Sequence, residues 1–274
     1  MSIADRLDYA IDRAVEAGFS SLQIFTHSPQ LWKAAELTPQ VIQDFNTKRQ
    51  SLLDGIIAVH APYLINLAAV DELLWQKSIR ALALDLKASD ELGADIYVIH
   101  PGSSKENREI ALQRVADGFP EAIKLYQPHL KIAVENTSGS GSCLGASISE
   151  LNTICELAAK NSTVEFGFCF DTAHAFGAGI DFQNVWQLDL LMQELADASH
   201  KILMVHCNDS ESDLDSRKDR HANIGEGKIG LQGFKNLAKL APFDNISWVL
   251  ETPKGDGVAS DIKNRETIQK ILSE

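Results

Sequence analysis

The sequence lacks a long apolar run, a basic leader and any close pair of cysteines. None of its 274 residues lies in an apolar stretch approaching the roughly 18 residues that a membrane-spanning helix requires. The N-terminus, MSIADRLDYAIDRA, has no basic start followed by an apolar segment, so it predicts no signal peptide. The four cysteines, Cys143, Cys155, Cys169 and Cys207, contain no CxxC pair and are typical of reduced thiols in a cytosolic protein. We therefore expect a cytoplasmic protein that does not contact a membrane.

Positive charge is also scarce. The chain has 25 lysines and arginines against 38 acidic residues, which gives a formal net charge of −13. Nucleic-acid-binding proteins usually present a basic face, so this balance alone argues against such a partner. The objection weakens if the chain binds metal ions, because three divalent ions would offset six of those charges and turn several acids into part of a cationic site.

Short apolar runs alternate with longer stretches of helical period along the whole chain. Nearly continuous apolar runs of this length are typical of parallel strands that are covered on both faces. In the first helical stretch, Ile3, Leu7, Ala10, Ile11 and Ala14 fall on one face, and Gly18 is the expected end of the helix. The predicted strands are SLQIFT (21–26), GIIAVH (55–60), DIYVIH (95–100), KIAVEN (131–136), EFGFCFD (165–171), ILMVHC (202–207) and ISWVLE (246–251).

This alternation predicts an α/β fold, and the even repeats favour a TIM (β/α)8-type barrel. A doubly wound sheet is disfavoured, because no GxGxxG follows the first strand. No linker or shift in composition interrupts the chain, so residues 1–274 are interpreted as a single barrel domain. The chain opens directly with a helix, so the first strand of a closed barrel is missing from it. Either the true start lies upstream or the barrel is incomplete.

Side chains that bind metals stand at the ends of six of the seven predicted strands. A barrel builds its active site at this end of the strands, and isolated carboxylates buried there would be costly without cations. Nitrogen and oxygen ligands without thiolate suit zinc, with manganese or iron as alternatives. Nine ligands exceed the needs of one ion and fit two or three. The nine candidates are His60, His100, Glu135, Asp171, His206 and Glu251 at strand ends, with His174, Asp219 and His221 shortly beyond.

Seven segments carry a family pattern. They are VHAPYLINL (59–67), IHPGS (99–103), VENTSGSGSCLG (134–145), FDTAHAFGAG (170–179), VHCNDS (205–210), DRHANIGEG (219–227) and LET (250–252). In this order they resemble the successive motifs of the endonuclease IV family. The resemblance implies a DNA-repair hydrolase that cuts the phosphodiester 5′ to abasic sites in duplex DNA, leaves a 3′-hydroxyl and trims blocked 3′ ends. We also expect a monomer.

The same resemblance implies three zinc ions. His60, His100 and Glu135 match the ligands of one ion, and Glu135 also matches a bridge to a second. Glu135 is the expected catalytic residue, which positions the attacking hydroxide between two ions. Asp171, His206 and Glu251 match the other ligands of the second ion, and His174, Asp219 and His221 match those of the third.

Residues in two loops match the family's contacts to DNA. Tyr63 and Leu64 correspond to residues inserted at the lesion, and Trp32 is kept in a second such loop. Gln30 stands where the family often has arginine, so binding to the lesion is expected to differ. Basic residues near the ligands are candidates for phosphate contacts, namely Arg220 with Lys218, Lys228 and Lys254.

Two alternatives remain open from the sequence. A metal-dependent sugar isomerase or epimerase on the same barrel also gathers His, Asp and Glu at strand ends, but usually for one or two ions. The third group, His174 with Asp219 and His221, favours phosphodiester chemistry instead. An inactive metal- or DNA-binding relative is the other alternative, although the intact set of nine ligands argues against it.

Overall fold

The structure, a computed structural model, describes residues 1–34, 36–52, 55–255 and 257–273. The chain forms two compact units. The first, called the N-terminal unit here, comprises Met1–Val134 and Ile154–Gly167, and the second, the C-terminal unit, comprises Glu135–Thr153 and Phe168–Glu274. Within the described ranges, no helix combines the length and the apolar character needed to cross a bilayer.

The N-terminal unit alternates helix and strand from its start. Its strands pair in parallel, with Leu22 opposite Ile57 and Ala58 opposite Ile96 in the registers of neighbouring strands. The second and third strands are buried along their whole length, as expected for strands covered on both faces. The elements are α1 (Tyr9–Glu16), β1 (Leu22–Ile24), α2 (Pro39–Arg49), β2 (Ile57–His60), α3 (Glu72–Glu91), β3 (Ile96–Ile99), α4 (Arg108–Leu125) and β4 (Lys131–Glu135).

The rest of the chain continues the alternation. Its elements are α5 (Ile148–Ala159), β5 (Phe166–Asp171), α6 (Thr172–Gly177), α7 (Val185–Asp197), β6 (Ile202–His206), β7 (Asp209–Ser210), β8 (His221–Ala222), α8 (Gly230–Leu237), a 3-10 turn (Ala241–Phe243), β9 (Ser247–Val249) and α9 (Val258–Leu272). In the C-terminal unit β5, β6 and β9 are parallel neighbours, and their register places Asp171 opposite His206. The short strands β7 and β8 pair antiparallel, with Ser210 opposite His221.

All seven predicted strands are present, although each is shorter than predicted. In the first predicted strand, the hydroxyl groups of the residues at both ends of the 21–26 run make hydrogen bonds to groups outside that run. Ser21 Oγ accepts a hydrogen bond from the Ile56 amide at 3.1 Å, and the Thr26 hydroxyl donates to the Asp85 carboxylate. Polar residues that flank the apolar run therefore leave the strand pairing early.

The prediction for the first helix is correct at its end and wrong at its beginning. Asp5 has a φ of 69°, which is incompatible with a helix, and α1 begins only at Tyr9. Ile3 and Leu7 therefore lie outside the helix that their spacing predicted. Gly18 has a φ of 74°, the left-handed conformation expected of a glycine after a helix.

Candidate metal centre

Two predicted ligands, His60 and His100, lie in the N-terminal unit. His60 is the last residue of β2 and His100 follows β3, and their ring centroids are 5.2 Å apart. His60 Nδ1 lies 2.7 Å from the Ala61 carbonyl oxygen, which can only accept, so Nδ1 carries the proton. The other nitrogen, Nε2, is thereby left as the atom that can bind a metal ion.

The loops that follow these two strands are linked by Asn66. Its side-chain Oδ1 accepts from the Ser103 amide at 3.1 Å, and its Nδ2 donates to the Ser103 carbonyl at 3.0 Å. Gly102, with a φ of 100°, passes so close to Asn66 that a Cβ there would lie 2.1 Å from Oδ1. The segment after His100 is therefore held tightly against the segment after His60.

The C-terminal unit gathers three predicted ligands around a fourth, the imidazole of His206. Its Nδ1 lies 2.9 Å from Glu135 Oε1, 3.2 Å from Glu251 Oε2 and 4.0 Å from Asp171 Oδ2. Glu135, Asp171 and His206 are fully buried, whereas the side chain of Glu251 is 26% exposed. The potential ligand atoms of all four residues lie within 4.8 Å of one another, so the group could hold a metal ion with one side open to solvent.

The remaining three ligands form a second group in the same unit. His174 Nε2 and His221 Nε2 each lie 3.3 Å from a carboxylate oxygen of Asp219. His174 Nδ1 donates to the Asn136 carbonyl at 2.9 Å, which directs Nε2 toward Asp219. His221 Nδ1 faces the Glu251 carbonyl at 3.2 Å in the same way. Both imidazoles thus present the same nitrogen to the carboxylate.

A buried nitrogen in this group lacks a hydrogen-bond partner among the residues that the structure describes. It is His221 Nε2, which is inaccessible to solvent and lies 3.7 Å from Asp171 Oδ2 and 3.3 Å from Asp219 Oδ1. Buried polar atoms are normally satisfied, so an imidazole nitrogen aimed at two carboxylates at these distances fits a cation between them.

The electrostatics of the C-terminal unit point to the same need for positive charge. Burial opposes the charged form of His174, but Asp171, Asp219 and Glu135 outweigh it and raise its pKa well above the usual range. Burial likewise opposes charging of His206, whereas Cys169, Glu135 and Glu251 act in the other direction, and its pKa is raised well above the usual range. Without metal, the carboxylates are therefore compensated by protons on these imidazoles, a role that a divalent cation can take over.

Cys169 lies beside the group around His206, but its protonated thiol is a poor metal ligand. Its thiol could reach a metal ion shared with Glu135 and His206. Burial raises the pKa of the Cys169 thiol to about 12, so it stays protonated near neutral pH. This agrees with a nitrogen and oxygen ligand set.

Comparison with known proteins places this geometry in a family. The family model described as a xylose isomerase-like TIM barrel matches residues 11–272. A protein named probable endonuclease 4 from Sulfurihydrogenibium sp. (strain YO3AOP1) is 35% identical over 258 residues, which is 93% of this chain and 91% of that protein. A second probable endonuclease 4, from Aquifex aeolicus (strain VF5), is 35% identical over 94% of this chain and 91% of its own length.

The chain belongs to the endonuclease IV family. The crystal structure of endonuclease IV from Thermus thermophilus superposes with a TM-score of 0.84 at 31% identity, covering 100% of this chain and 97% of that one. The predictions of a TIM-barrel fold, of this family and of an endonuclease of DNA repair are thereby confirmed. A D-tagatose 3-epimerase-like protein also superposes, with a TM-score of 0.71, but at 20% identity it shares the fold alone.

The residues predicted to contact DNA in the endonuclease IV family lie in two adjoining loops of the N-terminal unit. The Tyr63 amide donates to the Pro29 carbonyl at 3.1 Å, which joins the loops. The Tyr63 side chain is 61% exposed, with its ring edge against Phe25. Gln30 is exposed as well, Leu64 is half-buried, and the half-buried Trp32 ring has the Lys77 ammonium 4.1 Å from its centroid.

The basic candidates differ in their availability. Arg220 is exposed, and its guanidinium donates to the Asp219 carbonyl at 2.9 Å, beside the second ligand group. Lys218 is also exposed. Lys228 is paired with Asp213 and Lys254 with Asp261, so these two lysines already have acidic partners.

Sequence reasoning assigned no role to two asparagines that follow ligands in the motifs VEN and HCND. Asn136 Oδ1 accepts from the Asp171 amide at 2.6 Å, and its Nδ2 donates to the Asp171 carbonyl at 3.0 Å. Asn208 Nδ2 donates to Asp171 Oδ2 at 2.7 Å. Their positions in the sequence could have drawn attention to them, since Asn136 directly follows a predicted ligand and Asn208 follows one by two residues. Only the structure shows that both contact Asp171.

The same motif ends in a buried acid, Asp209, that organises the following loop. Its carboxylate accepts from the backbone amides of Ser210 at 2.8 Å, Ile229 at 2.9 Å and Gly225 at 2.9 Å. Gly230 adds a longer contact at 3.3 Å. Asp209 is thus a structural acid that holds the turn after His221 and not a further predicted ligand.

Proposed function

We propose that the chain is a zinc-dependent hydrolase that cleaves the phosphodiester 5′ to abasic sites in duplex DNA and leaves a 3′-hydroxyl. The observation that carries the proposal is the pair of ligand groups in the C-terminal unit, which share the buried carboxylate of Asp171. Membership of the endonuclease IV family supports the reaction class. A second group around Asp219 is the feature that a one- or two-metal sugar epimerase does not need.

Three ions would account for the nine predicted ligands. In the C-terminal unit, Glu135, Asp171, His206 and Glu251 would hold one ion and His174, Asp219 and His221 another. His60 and His100, in the N-terminal unit, remain predicted ligands of the third. Zinc suits this nitrogen and oxygen set, with manganese or iron as substitutes at some positions. When bound, such ions lower the pKa of water and neutralise charge that develops on a phosphate.

The chain's own contribution is to hold the carboxylate of Glu135 between the two ligand groups. Glu135 Oε1 lies within 3.3 Å of both His174 Nδ1 and His206 Nδ1, so one carboxylate contacts both ligand groups. Glu135 is fully buried, where charges interact more strongly than in water. This position suits the bridging and water-orienting role that the family resemblance gives it.

Recognition of the lesion is assigned to the residues of the two adjoining loops. Tyr63 and Leu64 would fill the gap left by the missing base, which costs little because an abasic site has little stacking to lose. Trp32 and Gln30 lie in the adjoining loop, and Gln30 offers no charge to a phosphate. Arg220 supplies that charge beside Asp219. Activity on blocked 3′ ends, a monomeric state and a cytoplasmic location remain predictions.

The test is cleavage of an end-labelled duplex that contains one abasic site, before and after chelation and with zinc restored. We expect a nick that disappears on chelation, returns with zinc and can be extended by a polymerase. The variant His221→Ala should lose the nick, because it removes a ligand of the second group. The matched control is His129→Ala, since the His129 side chain is 92% exposed and outside both groups. A folded, zinc-loaded chain that cuts no abasic duplex but epimerises a ketose would overturn the proposal.

A further inference from the structure

Asn208 connects two of the predicted ligands from a position two residues beyond β6. It is fully buried, and both ends of its side-chain amide are used. We infer that Asn208 is a positioning residue of the metal centre, whose amide fixes the carboxylate of Asp171 and the chain at Glu251 relative to each other. This inference rests on the proposed function, because it assigns Asn208 to the ligands named there.

The donor end of the amide fixes the orientation of Asp171. Asp171 Oδ1 accepts from the His174 amide at 2.7 Å and Oδ2 accepts from Asn208 Nδ2 at 2.7 Å. One donor on each oxygen holds the carboxylate in this orientation. Each ionised oxygen can accept a second partner, so both keep capacity for a cation on the side of the imidazoles.

The acceptor end of the amide fixes Glu251. Asn208 Oδ1 accepts from the Glu251 amide at 2.9 Å, just beyond the end of β9. The next backbone contact of the same segment is the Glu251 carbonyl, which faces His221 Nδ1 at 3.2 Å. Asn208 therefore fixes the backbone of Glu251 relative to the carboxylate of Asp171, and the Glu251 carbonyl in turn faces the imidazole of His221.

Asn208 is itself held rigidly, which a positioning group requires. Its backbone amide donates to Thr172 Oγ1 at 2.9 Å, and the Thr172 hydroxyl donates to the Asn208 carbonyl at 2.6 Å. Thr172 follows Asp171 directly and begins α6. These two hydrogen bonds join the backbone of Asn208 to the residue after Asp171, independently of the contact between the Asn208 amide and the Asp171 carboxylate.

A merely structural role is the competing explanation, and the chain offers a matched comparison. Asn264 is also buried and also uses its whole amide, since it accepts from the Ile224 amide at 2.8 Å and donates to Asn223 Oδ1 at 2.9 Å. Its hydrogen bonds reach none of the nine predicted ligand side chains. Loss of Asn264 should cost stability alone, whereas loss of Asn208 should also weaken metal binding.

The experiment compares zinc affinity, by competition with a chromophoric chelator, with urea unfolding of the chelated protein. The variants are Asn208→Ala, Asn208→Leu and the control Asn264→Ala. Leucine has the same number and branching of side-chain heavy atoms as asparagine, so it fills the site that alanine would leave empty. We expect zinc affinity to fall about 10- to 100-fold in both Asn208 variants, the range for groups that orient metal ligands, and to stay within about 2-fold in the control.

The outcomes separate this inference from the proposed function. A parent chain that binds zinc, with Asn208 variants that lose only as much affinity as Asn264→Ala, overturns the positioning role and leaves the hydrolase intact. A loss of affinity that merely follows destabilisation of the chelated protein overturns it too. A parent chain that binds no divalent metal overturns both the positioning role and the proposed function. Reduced affinity with stability matched to the control supports the inference, whatever the DNA assay shows.

Discussion

Replacing Asp209 by asparagine should destabilise the C-terminal unit, although Asp209 is not a predicted ligand. The carboxylate is fully buried, and its two oxygens accept from the amides of Ser210, Ile229, Gly225 and Gly230. An asparagine side chain has one oxygen and one NH2 group. One side of the cluster, either Gly225 or the pair of Ser210 and Ile229, must then face a donor in place of an acceptor.

The size of the effect follows from these contacts. A hydrogen bond to a charged group contributes roughly 1.5–3 kcal/mol, and a buried N–H left unpaired costs about 1–3 kcal/mol. We expect Asp209→Asn to lower the free energy of unfolding by about 3 kcal/mol. With a urea m-value of about 2 kcal/mol/M, that corresponds to a midpoint lower by roughly 1.5 M.

The assay is urea unfolding of the chelated protein followed by circular dichroism. The matched control is Asp213→Asn, an acid in the same loop whose side chain is 79% exposed and forms an exposed ion pair with Lys228. Such pairs contribute little, so this control should stay within about 1 kcal/mol of the parent. An Asp209→Asn midpoint as high as that of the control would refute the reasoning. It would mean that the amides of the loop find water or other acceptors as readily as Asp209.

Three further predictions concern the metal centre and the DNA loop. Because the folded pKa values of His174 and His206 are raised, their contribution to the stability of the chelated protein is complete below pH 6.5 and is lost as the pH rises through those values. The melting temperature of the chelated protein should therefore fall as the pH is raised above 6.5, and a flat profile would contradict this. Glu135→Gln should reduce nicking of abasic duplex by about 100-fold or more in a single-turnover assay, since it removes the charge that faces both imidazoles. Tyr63→Ala should weaken abasic-duplex binding by roughly 10-fold in fluorescence anisotropy with unfolding unchanged, because an exposed ring is lost; equal binding would exclude a stacking role.

The strand ends show how much of the site the sequence could predict. In the C-terminal unit Glu135, Asp171 and His206 each end a strand, where a polar residue follows an apolar run. The ends of parallel neighbouring strands lie side by side, so the pattern alone predicts that Asp171 and His206 meet. The family resemblance added what periodicity does not contain, namely that Asp219 joins the group from a loop.

The amide contacts could not be predicted in the same way. Asn208 follows His206 by two residues, yet its partners Asp171 and Glu251 are 37 and 43 positions away along the chain. Which end of an amide faces a carboxylate depends on those distant partners and leaves no periodic trace. The start of α1 failed for a different reason. Ile3 and Leu7 have helical spacing, but the positive φ of Asp5 depends on the backbone path and not on apolar pattern.

Asp171 serves as the helix cap of α6 as well as a predicted ligand, because its Oδ1 receives the His174 amide at 2.7 Å. Asp219, by contrast, lies in a loop, and its side chain is 58% exposed. Substitution of these two acids is therefore expected to have different effects when an inactive variant is needed to capture a substrate complex. Asp171→Asn would disturb the fold along with the chemistry, whereas Asp219→Asn should give a folded, slow protein suited to crystallisation with intact DNA.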